Sequence, residues 1–241
     1  MTERLTDVWV YLATFPLLHL ALTIVAYLAG DWLYQKSGRN PLLNPVLIAV
    51  AVLVGVLTVS GTTYHRYFEG AQFVHFLLGP AVVALAVPLY YNFAKLKRLW
   101  LPLSAGLFVG AVTAALSAVG VAWLLDASTQ TALALAPKSV TAPVAMGITE
   151  KLGGPASLTA ILVVSTGILG AVIGPAVLTL CGVRDAAVRG FAIGTTSHGI
   201  GTARAFQESE EAGAFSGLAM GLNTVVSSLL LPPLLRLVGV V

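Results

Sequence analysis

The sequence predicts an all-α integral membrane protein, a polytopic bundle of about seven or eight membrane elements in a single transmembrane domain, 1–241, with two broken helices and an internal repeat. Composition is the first reason. Of 241 residues 57% are hydrophobic and 10% are charged, against about 25% charged in a soluble domain. So few charges cannot cover a water-exposed globule. The second reason is the placement of those charges. Val8–Gly30, Asn40–Tyr64, Gly70–Ala94, Leu99–Leu125, Leu152–Val183 and Ala212–Leu235 contain no Asp, Glu, Lys or Arg, and a spanning helix needs roughly 20 mostly apolar residues. Runs such as Val46–Leu57 do not alternate as barrel strands would, so helices satisfy the backbone in lipid. The third reason is two interrupted stretches, Ala127–Thr149 with Lys138 in its middle and Gly190–Ala203 with many Gly, Thr and Ser.

In order along the chain, the first apolar run lacks a clean basic leader, because Glu3 and Asp7 flank Arg4, and reads as a retained helix rather than a signal peptide. Asn44, between Pro41 and Pro45, reads as an N-cap ahead of a proline-started helix. Lys95-Leu96-Lys97-Arg98 is the strongest basic loop and is cytoplasmic by the positive-inside rule. Counting back two spans puts Lys36 and Arg39 on the same side and the N-terminus outside. Counting forward leaves two options. If Ala127–Thr149 spans, Arg184 and Arg189 fall outside, against the rule; if it re-enters and turns back, they fall inside.

Two repeat registers are visible and exclude each other. Leu78–Leu89 resembles Leu135–Val144, each bounded by prolines, and Glu69, Phe73, Gly79 and Val83 align with Glu211, Phe215, Gly221 and Val225. Gly106/Gly110 and Gly170/Gly174 give GxxxG faces that suit close helix packing within the chain or in a homo-oligomer.

Chemistry concentrates in the two interruptions. In Ala136–Pro143, Pro137 and Pro143 break a helix around Lys138, Ser139 and Thr141. A lysine at mid-depth costs about 2.5–3.5 kcal/mol on insertion scales, so a broken helix presenting it to an anion is a reason for its presence; snorkelling to an interface is the other. Pro143 suits the first turn of the following half-helix, with the N–H groups of Val144, Ala145 and Met146 adding positive dipole. In Gly194–Arg204, three glycines in eight residues favour unwinding. Any helical part puts Ser197 with Arg204, and His198 with Thr202, on one face, a set able to bind a carboxylate or relay protons. Asn223 lies inside an apolar run as an interhelical or substrate contact. Glu208, Glu210 and Glu211 read as a solvated acidic loop.

Several functions are excluded. Thr195 stands where a nucleophile elbow needs glycine, Gly199-x-Gly201 follows no strand, and the four histidines and one cysteine have no metal-ligand spacing. No catalytic residues, cofactor, metal or nucleic-acid partner are expected. The long apolar runs hold no carboxylate, which argues against a cation/proton antiporter and for an anion.

Asn40–Pro45, Leu78–Tyr90, Leu135–Ala145, Ser197–Ala205 and Gly213–Ser216 together resemble the LrgB/CidB family of bacterial membrane proteins, which is similar to the membrane domain of the plastid glycolate/glycerate translocator. Ala142 stands where a second Thr is common, and Ala136 where Leu is frequent. The resemblance covers about residues 40–235 and implies a multi-pass protein of the bacterial plasma (inner) membrane. It implies one of two roles: a carrier of small monocarboxylates such as pyruvate, glycolate or glycerate, or an antiholin-like regulator of murein hydrolase export and lysis acting with a small holin-like partner. A buried lysine, a His-Arg pair and two broken helices favour the carrier. The expected site is Lys138, Ser139, Thr141, Ser197, His198, Thr202, Arg204 and Asn223, with His198 carrying a coupled proton.

Overall fold

A computed structural model describes residues 16–240. Every regular element among them is helical, and the chain divides into two compact units, 1–83 and 84–241.

In the first unit α1 is Pro16–Lys36, α2 Pro45–Val59 and α3 Tyr64–Phe76; α4, Leu78–Ala84, ends it. Asn44 caps α2 as expected, its Oδ1 accepting from Val46 N at 2.9 Å and Leu47 N at 3.3 Å, with Pro45 in the first turn where its missing N–H costs nothing. Gly30 lets α1 approach α2: a Cβ there would stand 2.8 Å from Pro45 O. Thr23 Oγ1 and Tyr67 Oη, 2.9 Å apart, join α1 to α3. The leader residues Glu3, Arg4 and Asp7 and the start of the first apolar run lie outside the described residues.

In the second unit the order is α5 Ala86–Tyr91, α6 Phe93–Leu124, α7 Thr129–Leu135, α8 Ala142–Lys151, α9 Ala156–Leu180, α10 Ala186–Glu208 and α11 Glu210–Leu237. Three of these, α6, α9 and α11, have 25 to 32 residues and an apolar window fit to cross a bilayer. The segments between them do not cross. At 1.5 Å per residue, α7 and α8 measure about 10 and 15 Å, against about 30 Å of hydrocarbon. They fold back on each other: a Cβ on Gly154 would lie 3.1 Å from Leu133 Cβ, and Leu152 packs on the cluster holding Ala132, Leu133 and Ala136. Residues 128–154 form a re-entrant hairpin. This decides the topology left open by charge counting.

The second interruption is also a hairpin. His198 sits at φ 42°, ψ −134° inside α10. Arg189 Nε donates to Glu208 Oε2 at 3.0 Å, although a straight helix would hold residues 19 apart at about 28 Å. The chain therefore enters along residues 186–197, turns at His198 and returns along 199–208.

The two hairpins enter from opposite ends of this unit. At the first mouth, Ala127 and Leu152 pack with Val119, Ala122, Leu235 and Val240, near the ends of α6 and α11. At the second mouth, Lys95 in the first turn of α6 bonds both Asp185 and Glu211 at 2.7 Å. Arg184 and Arg189 thus share an end with Lys95–Arg98, as the positive-inside rule requires. Glu208 and Glu211 are half-buried ion-pair partners rather than part of a solvated acidic loop; Glu210 alone of the three is exposed.

A repeat is written into the element boundaries. α7 starts at Thr129 and α10 at Ala186; α9 ends at Leu180 and α11 at Leu237, the same 57-residue step. Pro175 and Pro232 lie inside those helices at that step, and Gly182 (φ 75°) and Gly239 (φ 74°) follow them at it too. The first of the two sequence registers starts with this step, from Leu78 to Leu135. The second, from Glu69 to Glu211, matches no such recurrence of the described elements. With α1, α6, α9 and α11 fit to cross, the run Tyr64–Tyr91 formed by α3, α4 and α5 also long and apolar enough, the shorter apolar α2 and two hairpins, the described residues supply eight membrane elements.

Candidate functional site: two hairpin tips joined at mid-depth

The first tip is made by Pro137 and Pro143. Lys138 N donates to Leu135 O and Val140 N to Pro137 O, at 3.1 and 2.9 Å, so the chain turns tightly between α7 and α8. Lys138 Nζ reaches across to α6 and donates to Ala114 O at 3.0 Å. Ala114 lies well inside the 32-residue helix, so the ammonium is held within the bundle and does not snorkel to a mouth. It keeps two further N–H donors. Thr141 occupies the N-cap position of α8, but its hydroxyl makes no capping bond. Val144 N and Ala145 N both donate to Thr141 O, at 3.0 and 2.9 Å. Two of the three N–H groups expected to face an anion are therefore used inside the turn, because the first turn tightens and satisfies its own orphan donors.

At the second tip, Ser197 and His198 are buried. His198 Nε2 lies 3.0 Å from Val163 O on α9, and Gly167 makes room for the ring: a Cβ there would sit 2.6 Å from His198 Cε1. Gly170 does the same for Ser197, whose Oγ occupies the space a Cβ would take. Thr202 Oγ1 donates to His198 O at 2.8 Å and lies 3.0 Å from Ser216 Oγ. Arg204 is on the return arm, six residues from the tip, with Nη1 donating to Gln207 Oε1 at 3.3 Å. His198 and Thr202 do share a turn. Ser197 and Arg204 do not share a face, since the break at His198 reverses the chain between them.

Asn223 on α11 connects the tips. Its Nδ2 donates to Ser139 O at 3.1 Å and to Thr195 O at 3.0 Å, and its Oδ1 accepts from Ser227 Oγ at 3.2 Å. One buried amide thus satisfies a carbonyl on each hairpin. Val163 makes a second link, its side chain packed with Val140 and Ala145 of the first hairpin and its carbonyl on His198. Lys138, Ser139, His198, Thr202 and Asn223 are therefore brought to one region, with Thr141 and Ser197 on the same tips and Arg204 set back.

Sequence reasoning missed Thr195, Ser216, Ser227 and the carbonyls of Ala114 and Val163. Backbone acceptors carry no residue-type signal. Gly170 did carry one: its GxxxG pairing reads as helix packing, and it packs against the second tip. Among the described residues no group of His, Cys, Asp and Glu could hold a metal ion.

The LrgB-like family model matches residues 23–237. The chain belongs to the LrgB-like family. It is 35% identical over 220 residues to "Holin-like protein CidB" of Staphylococcus epidermidis, covering 91% of this chain and 96% of that one. It is 34% identical over 221 residues to the protein of that name from Staphylococcus aureus, covering 92% and 96%. It is also 36% identical over 216 residues to "Uncharacterized protein YwbG" of Bacillus subtilis, covering 90% and 96%. No solved structure matches. Membership of the LrgB-like family and the apolar helices together make this a multi-pass bacterial membrane protein.

Proposed function

We propose that this LrgB-like protein is a secondary transporter of a small monocarboxylate such as pyruvate, glycolate or glycerate. The observation that carries the reading is the pair of oppositely entering hairpins whose tips Asn223 ties together. Broken helices meeting at the midplane suit a carrier site, because irregular backbone at that depth is tolerated where it lines a cavity or is buried in protein. In this reading Lys138 exchanges its bond to Ala114 O for the carboxylate, and Ser139, Thr141, Ser197 and Thr202 meet the remaining oxygens. Asn223 holds the frame, Arg204 draws the anion along the second hairpin, and His198 carries a coupled proton.

A second reading has support of its own. The relatives' name, "Holin-like protein CidB", fits a regulator of lysis that assembles with a small holin-like membrane protein, or as a homo-oligomer, better than it fits a carrier. The test is substrate-dependent stabilisation of the purified protein, then flux in liposomes, with pyruvate, lactate, glycolate and glycerate. A ligand at 100 times its Kd stabilises the folded state by about 2.7 kcal/mol. The carrier reading expects a shift with at least one acid, lost in Lys138→Ala. A folded protein that shifts with none of the four, and whose Lys138→Ala variant still restores lysis control in cells, supports the regulator instead.

A further inference from the structure

Between α6 and the entering arm of the second hairpin runs a groove. At its outer end a cavity of about 720 Å³ is lined by Lys95, Arg98, Leu99 and Asp185. Further in, a cavity of about 260 Å³ lies between Gly106 and Gly110 on one wall and Ala192, Thr195 and Thr196 on the other. Val188 borders both cavities, so they lie end to end along the helix pair. Gly106 and Gly110 open it: a Cβ on Gly106 would meet nothing within 4 Å, and one on Gly110 only Thr195 Cγ2, at 3.4 Å.

We propose that this groove holds an anionic phospholipid, with its headgroup phosphate on Arg98 and one acyl chain laid inward to Thr195. Charge is the first argument. Of the two cations that line the mouth, Lys95 is committed to Asp185 and Glu211 and the other is the exposed Arg98, within one turn of exposed Trp100, at a depth where aromatic side chains mark a membrane interface. The body of the groove, by contrast, is apolar, which suits a hydrocarbon chain and not a hydrated carboxylate. Length is the second argument. From Arg98 to Gly110 the helix rises about 18 Å, close to half of a hydrocarbon core of about 30 Å. The groove therefore has the reach of one leaflet and stops at the level of the hairpin tips. A helix from a second copy would continue past that level.

The full-length protein, extracted from membranes holding equal phosphatidylglycerol and phosphatidylcholine, is examined by native mass spectrometry. Retained lipid is expected to favour phosphatidylglycerol by about fivefold, the value of one interfacial cation. Arg98→Gln removes the preference while lipid is still retained. Gly106→Leu fills the groove and removes the retained lipid, whereas Gly174→Leu on α9, where a Cβ also meets open space, keeps it. Equal retention of the two lipids by wild type, or unchanged retention in Gly106→Leu, overturns the proposal. So does a change of oligomeric state in Gly106→Leu with no lipid found on wild type, which makes the groove a contact between copies. The Arg98→Gln comparison stands even if Gly106→Leu fails to fold.

Discussion

The two hairpins occupy equivalent places at a 57-residue step, yet they are held in different ways. The first is closed by apolar packing of Leu133 and Leu152 and tied to α9 by a neutral bond from Thr159 Oγ1 to Thr149 Oγ1 at 2.9 Å. Its turn is set by prolines. The second is closed by charge: Arg189 bonds Glu208, Thr179 Oγ1 and the carbonyls of Val183 and Pro175, and Lys95 ties Asp185 to Glu211. Its turn is set by a strained residue, His198, with a positive φ that a non-glycine side chain holds at a cost of about 1–3 kcal/mol. The proline-set turn is preorganised, whereas the strained turn keeps its shape only while its surroundings hold it. Of the two, the second hairpin depends more on its surroundings for its shape.

The sharpest way to break the comparison is to cut the link between them. Asn223→Ala leaves Ser139 O and Thr195 O buried without that donor, and a destabilisation of about 2–4 kcal/mol is expected from thermal unfolding in detergent. No measurable loss would mean the tips stand independently. Next in size, Gly170→Ala drives a methyl into Ser197 and is expected to cost about 1–3 kcal/mol. Ser197→Ala should recover part of that loss in a double-mutant cycle, and Gly174→Ala, with open space around it, should cost nothing. Glu208→Gln is expected to cost about 2 kcal/mol, and Thr149→Val about 1 kcal/mol. Hydrogen exchange should find the second hairpin loosened by Glu208→Gln and by high salt, and the first by neither; equal salt response in both would erase the contrast.

The smallest effect concerns pH. The Lys95 hydrogen bond is the main cause holding the Asp185 carboxyl below its ordinary value. Its stabilising contribution is therefore present above the unfolded-state pKa and is lost as pH falls through the lower folded-state one. Asp185→Asn keeps an N-capping oxygen and removes the charge, so it should flatten the acid limb of a stability–pH curve slightly. An unchanged curve would show that this exposed pair contributes nothing.

The spans were legible because lipid imposes one rule, the absence of charge over a helix length, and residue types report it directly. Pro137, Pro143 and the glycines around His198 likewise announced the two breaks. What they could not announce was direction: a broken helix that continues and one that doubles back share the same local composition. Direction is set by pairs distant in sequence, Arg189 with Glu208 and Leu133 with Gly154. Glu208 and Glu211 were misread for the same reason, since an acidic cluster looks solvated until its cations are brought to it. The site was half visible. Lys138, His198, Thr202 and Asn223 stand out as polar groups in apolar surroundings, while the carbonyls that receive them are invisible to residue identity.

The 57-residue step has one more consequence. Each copy holds a hairpin, which returns to its starting side, and one crossing helix, which does not. The number of crossings per copy is odd, so two copies in tandem take inverted orientations, related by a two-fold axis in the membrane plane. Duplication of such a segment yields two opposed mouths in a single event, with no need to invert the gene or to evolve a second fold. Adding or deleting one crossing between the two hairpins would make that number even and leave both mouths on the same side.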